Sequence, residues 1–82
     1  MEEYYDAHKE LGCAIVLQAM RDYAVAFRRY LETPDSSPVL KEMSELEKFF
    51  LSQWFSELTD ADGAEIMQGI EDRVSRGDIY IV

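Results

Sequence analysis

This chain is poor in cysteine, histidine and basic side chains. One cysteine cannot form an internal disulfide, which fits a reducing compartment. One histidine and one cysteine do not supply the three or four ligands of a zinc site, so we expect no metal and no cofactor. Eight Lys and Arg stand against 17 Asp and Glu, giving a formal net charge of −9. This balance disfavours direct binding to nucleic acid or to anionic lipid.

Patterns of catalytic and ligand sites are also missing. Nucleophilic catalysis by Cys13 needs a nearby base, and His8 lies on a different face of the same helix. We therefore expect His8 in solvent, Cys13 as a small core hydrophobe, and no enzymatic activity. The glycines are too scattered for a phosphate-binding loop. A calcium loop with Gly63 at its sixth position would put Leu58 and Gly69 where calcium needs carboxylates.

Long apolar runs are absent as well. None reaches the roughly 18 to 20 residues that span a bilayer. The N-terminal MEEYYDAHKE is acidic where a signal peptide is basic, so we expect a cytoplasmic protein without membrane contact. Its 82 residues, with a hydrophobic fraction of 48%, predict one folded domain that is stable alone or as a small oligomer such as a homodimer.

The most apolar segment, LEKFFLSQWFSEL, covers residues 46–58. It is apolar around most of its helical circumference, so other elements must cover it. A linker with two prolines, TPDSSP, separates this segment from an amphipathic helix predicted at about 4–32. With Ser37 as N-cap and Pro38 as first residue, a second helix is predicted at about 38–58. The short linker predicts a long antiparallel hairpin.

The apolar period predicts which faces of these helices are buried. On helix 1 the expected core residues are Cys13, Val16, Leu17, Met20, Tyr23, Ala24, Phe27, Tyr30 and Leu31. On helix 2 they are Val39, Met43, Leu46, Phe50 and Trp54. Gly12 either weakens the first turns of helix 1 or lets another backbone approach. Ser44 and Glu47 have capping-box spacing, but the apolar period continues through them, so we expect helix 2 to be continuous.

A third helix is predicted at about 62–76. Asp62 is its expected N-cap, Glu65 completes a capping box, and Gly77 is the expected C′ residue. The inward side chains are Ile66, Met67, Ile70 and Val74. Residues 78–82, DIYIV, have strand propensity but no partner strand, so they either fold back as an extended apolar tail or pair with another chain. The fold class is therefore all-α: a small helical bundle made of the hairpin, a third helix and this tail.

Charge is segregated along the chain. No Lys or Arg occurs from residue 49 to residue 72, where the acidic residues are Glu57, Asp60, Asp62, Glu65, Glu71 and Asp72. A solvated acidic face is one interpretation, and a surface for a basic protein partner is the other. Phe49 lies between the apolar stripe and polar neighbours, so it is either an interface anchor or a core side chain covered by the tail.

Three short patterns carry a resemblance to known proteins. They are QA..DY at Gln18, Ala19, Asp22 and Tyr23, FF.S.WF..LT at Phe49, Phe50, Ser52, Trp54, Phe55, Leu58 and Thr59, and the DG that follows at Asp62 and Gly63. With them, segments 14–31 and 45–74 resemble a group of small helical proteins encoded by phages and prophages of Gram-positive bacteria. The resemblance implies a mobile-element protein acting inside a bacterium, and it implies no site residue. Small acidic phage proteins often inhibit host machinery, as anti-CRISPR proteins do.

The sequence thus predicts a non-enzymatic protein-interaction module. Phe49, Glu57, Asp60, Asp62 and Glu65 are the expected partner-binding residues. One alternative is an inhibitor that imitates phosphates and binds a basic nucleic-acid-binding protein. Another is a self-associating structural or virion-assembly protein. A fourth hypothesis, of a different class, is direct nucleic-acid binding through Arg21, Arg28 and Arg29, against which the overall charge argues.

Overall fold

A computed structural model describes the backbone of residues 2–77 and the side chains of residues 12–77. The described chain is entirely helical in its regular structure, as predicted. It contains four helices, α1 (Glu2–Glu32), α2 (Ser37–Phe50), α3 (Gln53–Leu58) and α4 (Gly63–Ser75). The predicted apolar tail lies outside the described residues, so the hairpin-plus-tail arrangement as a whole stays a prediction. Within residues 2–77, no helix has both the length and the apolar composition needed to cross a bilayer.

The core forms where α1 meets the other helices, and Tyr23 lies at its centre with 0% of its surface exposed. Its ring packs edge-to-face on Phe50 of α2, with 5.8 Å between the centroids. The buried side chains are Val16, Ala19, Tyr23, Ala24, Ala26, Met43, Phe50, Phe55, Met67, Ile70 and Val74. The inward face predicted for α4 is confirmed, with Ile66 packed against the core as a partly buried side chain.

The buried face of α1 is centred on small residues. Gly12, Ala19 and Ala26 recur every seven residues, and all three are buried. A Cβ on Gly12 would lie 3.0 Å from the Leu58 carbonyl oxygen, which confirms the predicted alternative of a close backbone approach. Three side chains predicted in the core are exposed instead: Cys13, Leu17 and Leu31. The prediction is wrong there because the buried face of α1 follows positions 12, 16, 19, 23 and 26, and these three side chains lie beside that face.

The connection between α1 and α2 places the N-cap one residue earlier than predicted. Ser36 has extended backbone and is the N-cap, so Ser37 is the first helical residue and Pro38 the second. Proline is tolerated there because the N–H groups of the first turn have no acceptor within the helix. The start of α2 thus differs by one residue from the prediction, and the proline-containing linker separates the two helices as predicted.

The predicted continuous helix over 38–58 is interrupted at Leu51 and Ser52. Continuity through Ser44 is confirmed, but α2 ends at Phe50. Ser52 has an extended backbone, its hydroxyl donates to the Phe49 carbonyl at 2.7 Å, and its Oγ accepts from the Phe55 N–H at 3.1 Å. A serine side chain that bonds nearby backbone groups in this way competes with the helix, so Ser52 closes α2 and caps α3.

This interruption changes which aromatic side chain is buried. In a continuous helix Trp54 would follow Phe50 on the same face, as the sequence predicts. After the turn at Ser52 it is Phe55 that enters the core, with 2% of its surface exposed, while Trp54 is 55% exposed. The predicted burial of Trp54 is therefore wrong, and the cause is the change of helical register.

The start of α4 is fixed by a cap and by a close backbone contact. As predicted, Asp62 is the N-cap, and its Oδ1 accepts from the N–H groups of Ala64 and Glu65 at 2.9 and 3.4 Å. A Cβ on Gly63 would lie 2.0 Å from the Phe50 carbonyl oxygen, so only glycine fits there. At the other end Gly77 has a φ of 83°, which confirms its predicted C′ role.

Candidate interaction surface

An apolar groove runs between α1 and the α2–α3 corner. Its volume is about 430 Å³, and its lining residues are Ala14, Ile15, Gln18, Ala19, Asp22, Leu46, Phe49 and Trp54. The corner is formed by the turn at Ser52, which brings Trp54 next to Phe49 with 5.4 Å between the ring centroids. The apolar groove thus exists because α2 is interrupted.

Phe49 joins this groove to the core. It is half-buried, and its ring packs edge-to-face on Phe50 and Phe55 at 5.6 Å from each. The predicted contact of Phe49 with the core is therefore confirmed, whereas its cover by the tail and its role as an interface anchor stay predictions. Trp54, which lies farther out, is the more exposed aromatic side chain. Sequence reasoning missed its position, and the available signal was the N-cap spacing of Ser52 to Phe55.

The groove continues into a second, polar section toward the α1–α2 connection. This section has a volume of about 450 Å³ and is lined by Asp22, Val25, Arg29, Glu42, Glu45 and Leu46. Asp22 and Leu46 line both sections, so the two sections adjoin, and we refer to them together as the channel. We refer to the second section as the acidic end, because it holds three carboxylates and one guanidinium.

The four predicted acidic site residues lie outside this lining. Glu57 is on α3, Asp60 and Asp62 are in the α3–α4 connection, and Glu65 is in the first turn of α4. All four are exposed, and among the described residues none forms an ion pair. Glu57 follows Trp54 by one helical turn, so the acidic residues begin beside the apolar groove. The structure thus brings Phe49 into the groove but not the carboxylates.

The Asp62 carboxylate and the Glu71 carboxylate both have structural roles. Asp62 caps α4, as described above. Glu71 accepts a hydrogen bond of 2.6 Å from the Tyr23 hydroxyl. Burial, followed by this bond to Glu71, raises the pKa of Tyr23 far above its ordinary value. The phenol therefore stays protonated and holds α1 to α4.

The remaining candidates from the sequence are metal ligands, Cys13, His8 and the arginines of α1. Residues 12–77 contain no group of three or more His, Cys, Asp or Glu side chains placed to hold a metal ion. Cys13 is exposed on α1, and the side chain of His8 lies outside the described region. On α1, the Arg28 Nε lies 3.9 Å from the Glu32 Oε2 and forms an ion pair with it. Arg29 lines the acidic end.

Comparison with known proteins adds no relative to this picture. No protein-family model matches the chain, and searches of curated proteins and of solved structures give no match.

Proposed function

We propose that this chain is a non-enzymatic protein-interaction module that binds a protein partner at the apolar groove. The observation that carries the proposal is Trp54, which is 55% exposed and packs edge-to-face on Phe49 in an apolar lining. Tryptophan is enriched at the energetic centres of interfaces, because it buries a large area with few rotatable bonds. A partner that covers Trp54 gains that burial.

The exposed carboxylates and the net charge support a basic partner. Glu57, Asp60 and Glu65 are exposed carboxylates, and the whole chain carries a formal net charge of −9. Charges at the rim of an interface mainly increase the association rate and exclude partners of the same sign. We infer that apolar contact at Trp54 supplies affinity and that the carboxylates select a basic protein.

The scaffold behind this surface is, in our proposal, the long antiparallel hairpin. Two observations support it. The connection between α1 and α2 is only residues 33–36, and Phe50 at the end of α2 packs on Tyr23 in the middle of α1. The resemblance of segments 14–31 and 45–74 to phage proteins supports a mobile-element protein acting in the bacterial cytoplasm.

A second candidate is an inhibitor that imitates phosphates and occupies the nucleic-acid site of a basic host protein. The observation in its favour is that Glu57, Asp60 and Glu65 are exposed and, within residues 12–77, free of ion pairs. Such carboxylates present negative charge to a protein surface that is built to bind phosphates. Self-association through the predicted tail is a further alternative, against which the repulsion between two chains of net charge −9 argues.

Affinity capture from the lysate of a Gram-positive bacterium, at low and at high salt, tests the proposed function. Trp54→Ala should lose the captured protein, whereas Leu31→Ala, which truncates an apolar side chain 49% exposed outside the groove lining, should retain it. Equal capture by the wild type and Trp54→Ala would contradict the proposal. Thermal unfolding of each variant checks that the fold is retained.

A second set of variants separates the two candidates. One variant combines Glu57→Gln, Asp60→Asn, Asp62→Asn and Glu65→Gln. If it loses a basic nucleic-acid-binding protein that Trp54→Ala still holds, phosphate imitation becomes the function. A mass that rises with protein concentration, and that Phe49→Ala or truncation after Gly77 reduces, would instead indicate self-association.

A further inference from the structure

The helical architecture restricts what the groove can bind. An extended peptide needs hydrogen-bond partners for its backbone, and a sheet edge normally supplies them. The described residues contain no strand, and the groove walls are helices whose own backbone groups are already bonded. A helix enters an apolar groove at lower cost, because it satisfies its backbone within itself. The occupant that fits best is therefore a helix.

The length of the channel sets the length of that helix. Its lining on α1 extends from Ala14 in the apolar groove to Arg29 at the acidic end. These 15 steps along α1 correspond to about 22 Å at 1.5 Å per residue. A partner helix of about four turns would lie along the whole channel.

The two sections of the channel differ in charge. The apolar groove offers Ile15, Leu46, Phe49 and Trp54. The acidic end offers Asp22, Glu42 and Glu45 against the single guanidinium of Arg29, a formal local charge of −2. A complementary ligand is apolar along one stripe and carries Lys or Arg toward one end. A second copy of this chain fits poorly, because each copy carries a net charge of −9.

We propose that the channel binds a basic amphipathic helix of the partner protein, about 15 residues long, with its apolar stripe against Phe49 and Trp54 and its cationic residues against Asp22, Glu42 and Glu45. This inference rests on the proposed function and names the kind of partner segment. It requires that the recognised segment can act as a short peptide, apart from the rest of the partner.

A library of random 15-residue peptides displayed on yeast is the probe. The library is sorted for binding to the wild-type protein. The enriched sequences should show apolar residues at helical spacing together with Lys and Arg. Sequences without helical spacing, acidic sequences, or no enrichment at all would overturn the inference.

Synthetic copies of the enriched peptides, made without tryptophan, then locate the site. Trp54 is the only tryptophan in the chain, so a blue shift of its emission reports burial in the groove. Trp54→Ala should weaken binding to the displayed peptides about ten-fold or more, and Leu31→Ala should not change it. The combination Asp22→Asn, Glu42→Gln and Glu45→Gln should weaken it about three-fold to ten-fold at low salt, and less at high salt.

The outcomes separate this inference from the proposed function. If Trp54→Ala abolishes capture from the lysate but no peptide is enriched, the groove is an interface and the helical occupant is wrong. If Trp54→Ala captures like the wild type, the proposed function itself fails. If sedimentation equilibrium shows a dimer whose formation shifts the Trp54 emission, a second copy occupies the groove and the inference is overturned.

Discussion

The Tyr23 hydroxyl lies 2.6 Å from Glu71 Oε2 and donates a hydrogen bond that joins the centre of α1 to α4. Tyr23 is fully buried, and a buried phenol needs an acceptor to offset the loss of water. The Glu71 carboxylate thus stabilises the contact between α1 and α4. A carboxylate that looked like part of an acidic binding face in the sequence is instead a structural partner.

The hydrogen bond between Tyr23 and Glu71 makes the free energy of unfolding depend on pH in the alkaline range. The pKa of Tyr23 is raised above the value of about 10 that it has in the unfolded chain. Its contribution is therefore fully present below about pH 10 and is lost as the pH rises above that value, because the unfolded chain releases the proton first. Tyr23→Phe should cost about 1 kcal/mol at neutral pH, and the gap from the wild type should narrow between about pH 10 and 11.5.

Urea denaturation across that pH range measures the gap. Tyr30→Phe is the matched control for loss of a phenol hydroxyl, because Tyr30 forms no side-chain hydrogen bond within residues 12–77, and it should cost less stability at neutral pH than Tyr23→Phe. A gap between Tyr23→Phe and the wild type that stays constant across the pH range would show that the buried phenol does not couple folding to pH.

The contact between Gly63 and Phe50 predicts opposite effects for two glycine substitutions. Gly63→Ala places a methyl group 2.0 Å from the Phe50 carbonyl oxygen and should destabilise the fold by about 1–3 kcal/mol. Gly69→Ala meets nothing within 4 Å on α4 and should stabilise it by about 0.5–1 kcal/mol. Chemical denaturation of both variants checks this. Equal stability of the two would mean that α2 and α4 are farther apart than described.

The register after Ser52 predicts different costs for two neighbouring aromatic residues. Phe55→Ala removes a ring that is 2% exposed and should cost about 3–5 kcal/mol. Trp54→Ala removes one that is 55% exposed and should cost less than about half as much. Thermal or urea unfolding compares them. The reverse order would restore the continuous helix that the sequence predicts.

Substitutions of Asp62, the N-cap of α4, distinguish its capping role from the effect of its charge. Asp62→Ala removes the acceptor for the Ala64 and Glu65 N–H groups and should cost about 1 kcal/mol. Asp62→Asn keeps an acceptor and should be nearly neutral, as should Asp60→Ala in the exposed connection. The unfolding midpoints decide this. An equal loss in Asp62→Asn would mean that charge, rather than capping, acts at this position.

The sequence predicts the helix ends well where prolines, capping residues or a terminal glycine are present. Helix ends are set locally by the prolines near Ser37, the N-cap Asp62 and the glycine at residue 77. The observed C-terminal ends of α1 and α4 and the start of α2 accordingly lie within two residues of their predicted positions. Local signals are sufficient there because capping and glycine conformation act over a few residues.

The groove was less predictable, because it depends on packing between helices. The Ser52 side chain forms hydrogen bonds with the backbone of Phe49 and Phe55. Because these bonds interrupt the helix, Trp54 lies at the surface. The burial of Ala19 on α1 likewise depends on how closely other helices approach, which apolar spacing does not report. Only Phe49 among the predicted site residues lines the groove.

Photo-crosslinking in living bacterial cells determines whether the channel, made of the apolar groove and the acidic end, is the contact surface. A benzophenone amino acid replaces Val25, which lines the acidic end, or Leu31, which does not; the two side chains are 50% and 49% exposed. We expect a crosslinked protein partner from position 25 only, and we expect this adduct to be lost when Trp54→Ala is added. The same adduct from both positions, or none from position 25, would contradict this expectation.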